Sequence, residues 1–182
     1  LEKEGPLWRA GAGYSFSLLG LKAVRAGFAG LEFATGIPAS VGGAVYMNAG
    51  ANGQETKDSL HSVDWLTPEG EYRTTPREEL DFAYRSSPFQ QHHGVIVAAT
   101  FALQQSEQAK EHQEKILSYR METQPYGLPS AGCIFQNPSQ GSAGALIDSC
   151  GLKGRRIGGA EVSQQHANFI VNIDEATAQD VQ

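Results

Sequence analysis

Apolar residues recur at helical spacing at Phe16, Leu18, Leu19, Leu21, Ala23 and Val24. This predicts a helix that opens at Ser15, a residue suited to capping, and stops at Gly27. Before it, Leu7 to Ala10 reads as the end of a strand, and Gly11-Ala12-Gly13 as a tight turn. Apolar and polar residues alternate from Leu60 to Thr67, which predicts a strand. Pro68-Glu69-Gly70 then turns the chain, and Glu71 to Thr74 returns as a hairpin partner. Proline first and acids in the first turn predict a short helix from Pro76 to Phe82. Val95 to Leu103 is nearly continuously apolar and β-branched, the pattern of a buried strand. Ser106 to Tyr119 is polar and free of glycine and proline, which predicts an exposed helix joining two domains.

A glycine-rich loop, residues 124–144, follows that helix. A short helix through Ala145-Leu146-Ile147-Asp148 ends at Gly151. Lys153 to Ser163 and Ala167 to Ile173 read as two strands, and Glu175 to Gln182 begins a helix that the chain does not finish. An amphipathic element left half built is the expected signature of a longer protein. The elements read as an α+β chain, with the helix at 106–119 the candidate connection between two domains.

Composition narrows the function classes. With 182 residues, 40% hydrophobic and 19% charged, the chain suits a globular protein of one or two domains. The 14 basic and 20 acidic residues give a formal charge of −6, which argues against a broad nucleic-acid surface. No apolar run has the length of a membrane span, and the first residues lack a signal peptide's basic-then-apolar order. The two cysteines, Cys133 and Cys150, have no metal-ligand spacing, so no metal is expected and reduced thiols are the plain reading.

The 21 glycines cluster. The densest stretch runs through Gly36, Ile37, Pro38, Ser40, Gly42, Gly43, Asn48 and Gly50. Side-chain-poor backbone lets a ligand approach closely, and consecutive N–H groups can hold a pyrophosphate without net positive charge. A set of tight turns with no ligand is the alternative. The stretch is not the strand–GxGxxG–helix dinucleotide fingerprint, nor a P-loop, because no Gly-Lys-Ser/Thr follows. Tyr84-Arg85-Ser86-Ser87-Pro88-Phe89 places a planar cation beside a predicted strand, where it could pair with a carboxylate or simply face solvent. Cys133 sits among small residues, four before Asn137; a thiol with pKa near ~8.5 can donate a proton, or can be a packing residue. Lys153 and the basic residues beside it, with His166 further on, could meet a diphosphate or form an ordinary turn.

In this order, five segments resemble the UDP-N-acetylenolpyruvoylglucosamine reductase (UDP-N-acetylmuramate dehydrogenase) family, in its shorter subclass. They are Gly30 through the 36–50 stretch, Tyr84–Phe89, Ser130–Pro138, Gly144–Gly154 and Ile157–Asn172. The resemblance implies an FAD-binding fold of the vanillyl-alcohol-oxidase type, with its second lobe at 1–105 and a small α/β substrate domain at 120–182. It implies missing segments at both ends. It implies FAD and NADPH as cofactors, a UDP-sugar substrate, and a cytoplasmic role in peptidoglycan precursor synthesis. The eight residues of the glycine-rich stretch would then contact the cofactor. Arg85 would stabilise an enolate, and Cys133 would protonate it where the family usually has serine. Tyr84, Asn137, Lys153 and His166 would contact substrate. A glutamate of the family site would lie beyond Gln182. The alternatives are an oxidase of the same fold acting on another substrate, or a non-catalytic nucleotide-sugar-binding piece. Oligomeric state is not legible.

Overall fold

A computed structural model describes residues 1–182. The chain divides into two compact units, Leu1–Leu117 and Ser118–Gln182.

In the first unit, five antiparallel strands form one sheet: β1 (Glu2–Glu4), β2 (Leu7–Gly11), β3 (Leu60–Leu66), β4 (Tyr72–Pro76) and β5 (Val95–Ala102). Their order is β1-β2-β5-β3-β4, with the apolar run of β5 in the centre. The register between β3 and β5 shifts at His61, because Leu60 pairs with Phe101 while Ser62 pairs with Thr100. An extra residue at that point reconciles the strand's period of two with the burial of both Leu60 and Val63 in one core. On the other side of the sheet, Asp64 is nearly buried and accepts from Arg9 Nε at 2.9 Å and Thr74 Oγ1 at 2.7 Å.

Helix α1 (Phe16–Arg25) begins as expected at Ser15, whose hydroxyl accepts from the Leu18 amide. It covers the sheet with Phe16, Leu19, Ala23 and Val24. Phe16 meets Phe33 edge-on at 5.8 Å and lies 6.2 Å from Phe101. The predicted helix at 76–82 is instead one 3-10 turn, Arg77–Glu79, after Pro76 ends edge strand β4. Proline is tolerated on an edge, where its missing N–H interrupts no interior ladder. The Arg77 side chain ties this turn to its neighbours by donating to the carbonyls of Lys57 and Leu80.

One element lies where the glycine-rich pattern hid it. Val41–Tyr46 is a helix, α2, capped by Ser40 Oγ. The linking helix, α3 (Ala109–Thr123), starts and ends a few residues later than its polar pattern suggested.

The second unit holds a four-stranded antiparallel sheet: β6 (Ser130–Cys133), β7 (Arg156–Ile157), β8 (Ala160–Val162) and β9 (Phe169–Asn172), in the order β6-β9-β8-β7. Strand β6 lies where the sequence pattern predicts only loop. The stretch 153–163 is a hairpin rather than one strand, because Gly158-Gly159 turns it between Ile157 and Ala160. Helix α4 (Ala143–Ser149) has Ser142 as its N-cap, and the chain leaves it through Gly151 at φ 67°. The closing turn of helix, Ala178–Val181, is capped by Thr177.

Candidate functional site

The first candidate group is built on the glycine-rich stretch. Gly42 packs against the turn after β2; a Cβ there would come 2.9 Å from Ala12 Cβ. This close approach lets Val41 N–H donate to Tyr14 O and Gly42 N–H to Ala12 O, both at 2.8 Å. Gly43 N–H donates to Ser40 Oγ at 3.2 Å. Three consecutive amides at the start of α2 thus already have acceptors within the chain. Gly36, at φ 81°, donates to Ser17 Oγ, and Ile37 N–H donates to Ala34 O, so the entry to the stretch is likewise tied to its own scaffold. What the stretch offers is a bare surface. Gly42 and Gly43 line a shallow recess of about 270 Å³, completed by Tyr46, Gly94 and Ile96.

At the other end of α2, Asn48 is fully buried at φ 42°. Its Nδ2 donates to Ala83 O at 2.9 Å and Glu55 Oε2 at 3.1 Å, while its Oδ1 accepts from Lys57 N–H at 3.1 Å. One carboxamide therefore joins three segments, and its polar capacity is directed inward.

That junction fixes the arginine. Ala83 and Ser86 exchange both backbone hydrogen bonds at 3.1 Å, making Tyr84-Arg85 a two-residue turn. Arg85 stands at φ 54°, a region favoured for glycine and uncommon for a long side chain. Its Nη2 donates to Gly50 O at 2.8 Å and its Nη1 reaches Asn48 O at 3.5 Å. The guanidinium also lies over the Tyr84 ring, 4.8 Å from its centre. Gln90 Nε2 braces the loop by donating to Arg85 O and Tyr46 O. Asn48, Gly50, Tyr84 and Arg85 are thereby brought together in one unit.

The second group belongs to the other unit. Cys133 ends β6, is exposed, and pairs across the sheet with Phe169. Gly132 at φ 84° takes up the irregular register beside it. Asn137 Oδ1 accepts from the Ala143 amide at 3.0 Å and so anchors the start of α4. Lys153 Nζ pairs with Asp148 at 2.8 Å. His166 packs edge-on against Phe169 with ring centres 4.8 Å apart, and its Nδ1 accepts from Asn168 N–H at 3.2 Å. Burial lowers the His166 pKa and the Lys153 charge adds to this, outweighing its own carbonyl, which acts the other way. No disulfide involves Cys133 or Cys150, and no group of three or more His, Cys, Asp or Glu side chains is placed to hold a metal ion.

Tyr46, Gly94, Ile96 and Gln90 join the first group without having been expected from the sequence, and Asn168, noted there only as a neighbour of His166, joins the second. Tyr46 and Asn168 lie inside the segments that carry the resemblance, but the partners of Asn168 are distant in sequence. Gly94 and Ile96 carry no motif.

Residues 1–76 match the family described as "FAD binding domain". Residues 124–182 match "UDP-N-acetylenolpyruvoylglucosamine reductase, C-terminal domain". These define a class, a flavoprotein-type domain followed by a reductase's own C-terminal domain. Among relatives, the UDP-N-acetylenolpyruvoylglucosamine reductase of Protochlamydia amoebophila is 57% identical over 182 residues, which is 100% of this chain and 61% of that protein. The enzyme of the same name from Chlamydia muridarum is 52% identical over 93% of this chain and 57% of its own length. The crystal structure of the Thermus caldophilus reductase superposes with a TM-score of 0.84 at 41% identity, covering 96% of this chain and 65% of that one. The chain belongs to the UDP-N-acetylenolpyruvoylglucosamine reductase family. It spans about three fifths of the length of these curated relatives.

Proposed function

We propose that the protein reduces the enolpyruvyl ether of a UDP-N-acetylglucosamine derivative to UDP-N-acetylmuramate, using FAD and NADPH, in the cytoplasmic supply of peptidoglycan precursors. Residues 1–105 belong in this reading to the flavin domain, 106–119 to the link and 120–182 to the substrate domain. The recess fits a flat cofactor ring: Gly42 and Gly43 contribute no side chain to it, and Tyr46, Gly94 and Ile96 complete its lining. The engaged amides at 41–43 argue for ring contact there rather than diphosphate binding. Gly36, Ile37, Pro38, Ser40, Asn48 and Gly50 belong in this reading to the same cofactor-binding stretch. Bound there, FAD would pass hydride from NADPH to the methylene carbon of the substrate.

The observation that carries the reading is the strained, braced arginine. Arg85 occupies a glycine-type conformation, and its guanidinium is held at the carbonyls of Asn48 and Gly50. A cation fixed before the reaction begins stabilises negative charge developing beside the substrate carboxylate without reorganising. Cys133 then supplies a proton to the enolate carbon; its thiol is a stronger acid than the serine hydroxyl usual at that place in the family. Tyr84, Asn137, Lys153 and His166 contact the UDP-sugar.

The test separates the two half-reactions in the gene-encoded protein. Arg85→Ala should slow flavin reoxidation by the enolpyruvyl substrate by about 10²- to 10³-fold, and leave flavin reduction by NADPH nearly unchanged. Cys133→Ala should show the same split and Cys133→Ser should retain activity. Equal loss in both half-reactions removes Arg85 from this role, and a colourless protein that takes up no flavin defeats the reading.

A further inference from the structure

Asn168 is 3% exposed, and each of its polar atoms is engaged. Its Oδ1 accepts from Phe135 N–H at 2.9 Å, and its Nδ2 donates to Phe135 O at 2.7 Å. A carboxamide paired this way imitates a peptide group in a strand ladder. Its own carbonyl accepts from Ile134 N–H at 2.9 Å. Regular pairing of β6 with β9 stops at Cys133 and Phe169, so this one residue carries the pairing two positions past the thiol.

The same residue reaches His166. Its main-chain N–H donates to Nδ1, which in a neutral imidazole leaves the proton on Nε2. The turn around the ring is set independently. Ser163, also 3% exposed, accepts from the amides of both Gln165 and His166 through its hydroxyl.

We propose that Asn168 is a positioning residue that holds the end of the Cys133 strand with its carboxamide and the His166 ring, as an Nε2–H donor, with its main chain. The thiol and the imidazole are then set by one hydrogen-bonded element rather than by two mobile loops. The proposal rests on the proposed reductase reading for its catalytic consequence, though not for its geometry. A small displacement of a reacting group costs about 10²-fold in rate.

Two variants of the gene-encoded protein test it. Asn168→Ala removes the carboxamide and leaves the main-chain bond to His166. Asn168→Asp keeps an acceptor for Phe135 N–H but, while ionised, sets a carboxylate against Phe135 O; once protonated it regains a donor. Asn168→Ala should speed amide exchange of Phe135 by at least about tenfold, the loss of one well-paired hydrogen bond. Residues 1–117 should be unaffected. It should slow flavin reoxidation by substrate by about 10²-fold with little change in reduction by NADPH. The rate of Asn168→Asp relative to wild type should rise as pH falls. Nitrogen-15 shifts should report His166 Nδ1 as unprotonated. Unchanged Phe135 exchange, an Nδ1–H tautomer, or an Asn168→Asp deficit equal at every pH would each overturn the proposal. A wild-type protein that exchanges as expected but never passes hydride to the enolpyruvyl substrate would instead refute the function while leaving the positioning role standing.

Discussion

The two units order their candidate residues by different physics. In Leu1–Leu117, Arg85 and Asn48 sit on a core that fully buries Trp8, Phe16, Phe33, Phe89 and Phe101. In Ser118–Gln182, Phe169 is the largest buried apolar side chain, and Tyr126, Phe135, Leu146 and Ile157 are at least half exposed. There the polar pairings of Asn168, Ser163 and Asn137 assume the role that aromatic packing fills in the first unit. Mutations should therefore fail differently in the two regions: volume loss should dominate in one, and loss of a paired carboxamide in the other.

The largest effect expected is at Phe16. Phe16→Ala removes a ring in contact with Phe33 and Phe101 and should destabilise the first unit by about 3–5 kcal/mol. Phe169→Ala should cost less, because its surroundings can relax or hydrate. Denaturant unfolding, with amide exchange resolved for each unit, checks the ranking. If Phe169→Ala proved as costly as Phe16→Ala, the contrast between the units would be mistaken.

Asn48→Ala comes next. It leaves Lys57 N–H without its acceptor, while Ala83 O keeps Ser86 N–H and Glu55 Oε2 keeps the Lys57 ammonium; an unpaired group beside so buried a position costs about 1–3 kcal/mol. A small residue does not restore the φ of 42° either. The signature should be local, with the turn carrying Arg85 losing protection before the sheet does. Uniform loss across residues 1–117 would place Asn48 in the general core rather than at this junction.

Legibility in the sequence followed the same divide. Helix α1 with its Ser15 cap, the β3–β4 hairpin and β5 were readable, because apolar periodicity and turn residues act locally. Helix α2 was not, since Val41-Gly42-Gly43-Ala44 carries glycines that favour loops in isolation and become helical only through the bonds to Ala12 and Tyr14. Strand β6 was hidden for a related reason: Ser130-Ala131-Gly132-Cys133 has no strand propensity, and only its pairing with β9 extends it. The candidate residues were drawn from motif order. Their mutual support was not readable there, because Asn48 reaches residue 83 and Asn168 reaches residue 135 across the fold.

Acid should separate the units by the smallest of these effects. Burial holds the His166 pKa below its ordinary value of about 6.5, with Lys153 adding to the effect. The unfolded chain then binds a proton more readily than the folded one. Stability from this group is full above about 6.5 and falls as pH drops through the lower folded value. In the first unit, burial by itself would raise the Asp64 pKa, but hydrogen bonds from Thr74, Arg9 and Tyr72 outweigh it and lower it overall. Its contribution is full above about 3.9 and is lost only as pH falls through its own depressed value. Residues 118–182 should therefore lose amide protection in mild acid, while residues 1–117 keep theirs until the carboxylate range. Substituting His166→Gln, which cannot take up a proton, should flatten the first of these two steps and leave the second in place. Simultaneous loss of protection in both units on acidification would count against His166 as the acid-sensitive group of the second.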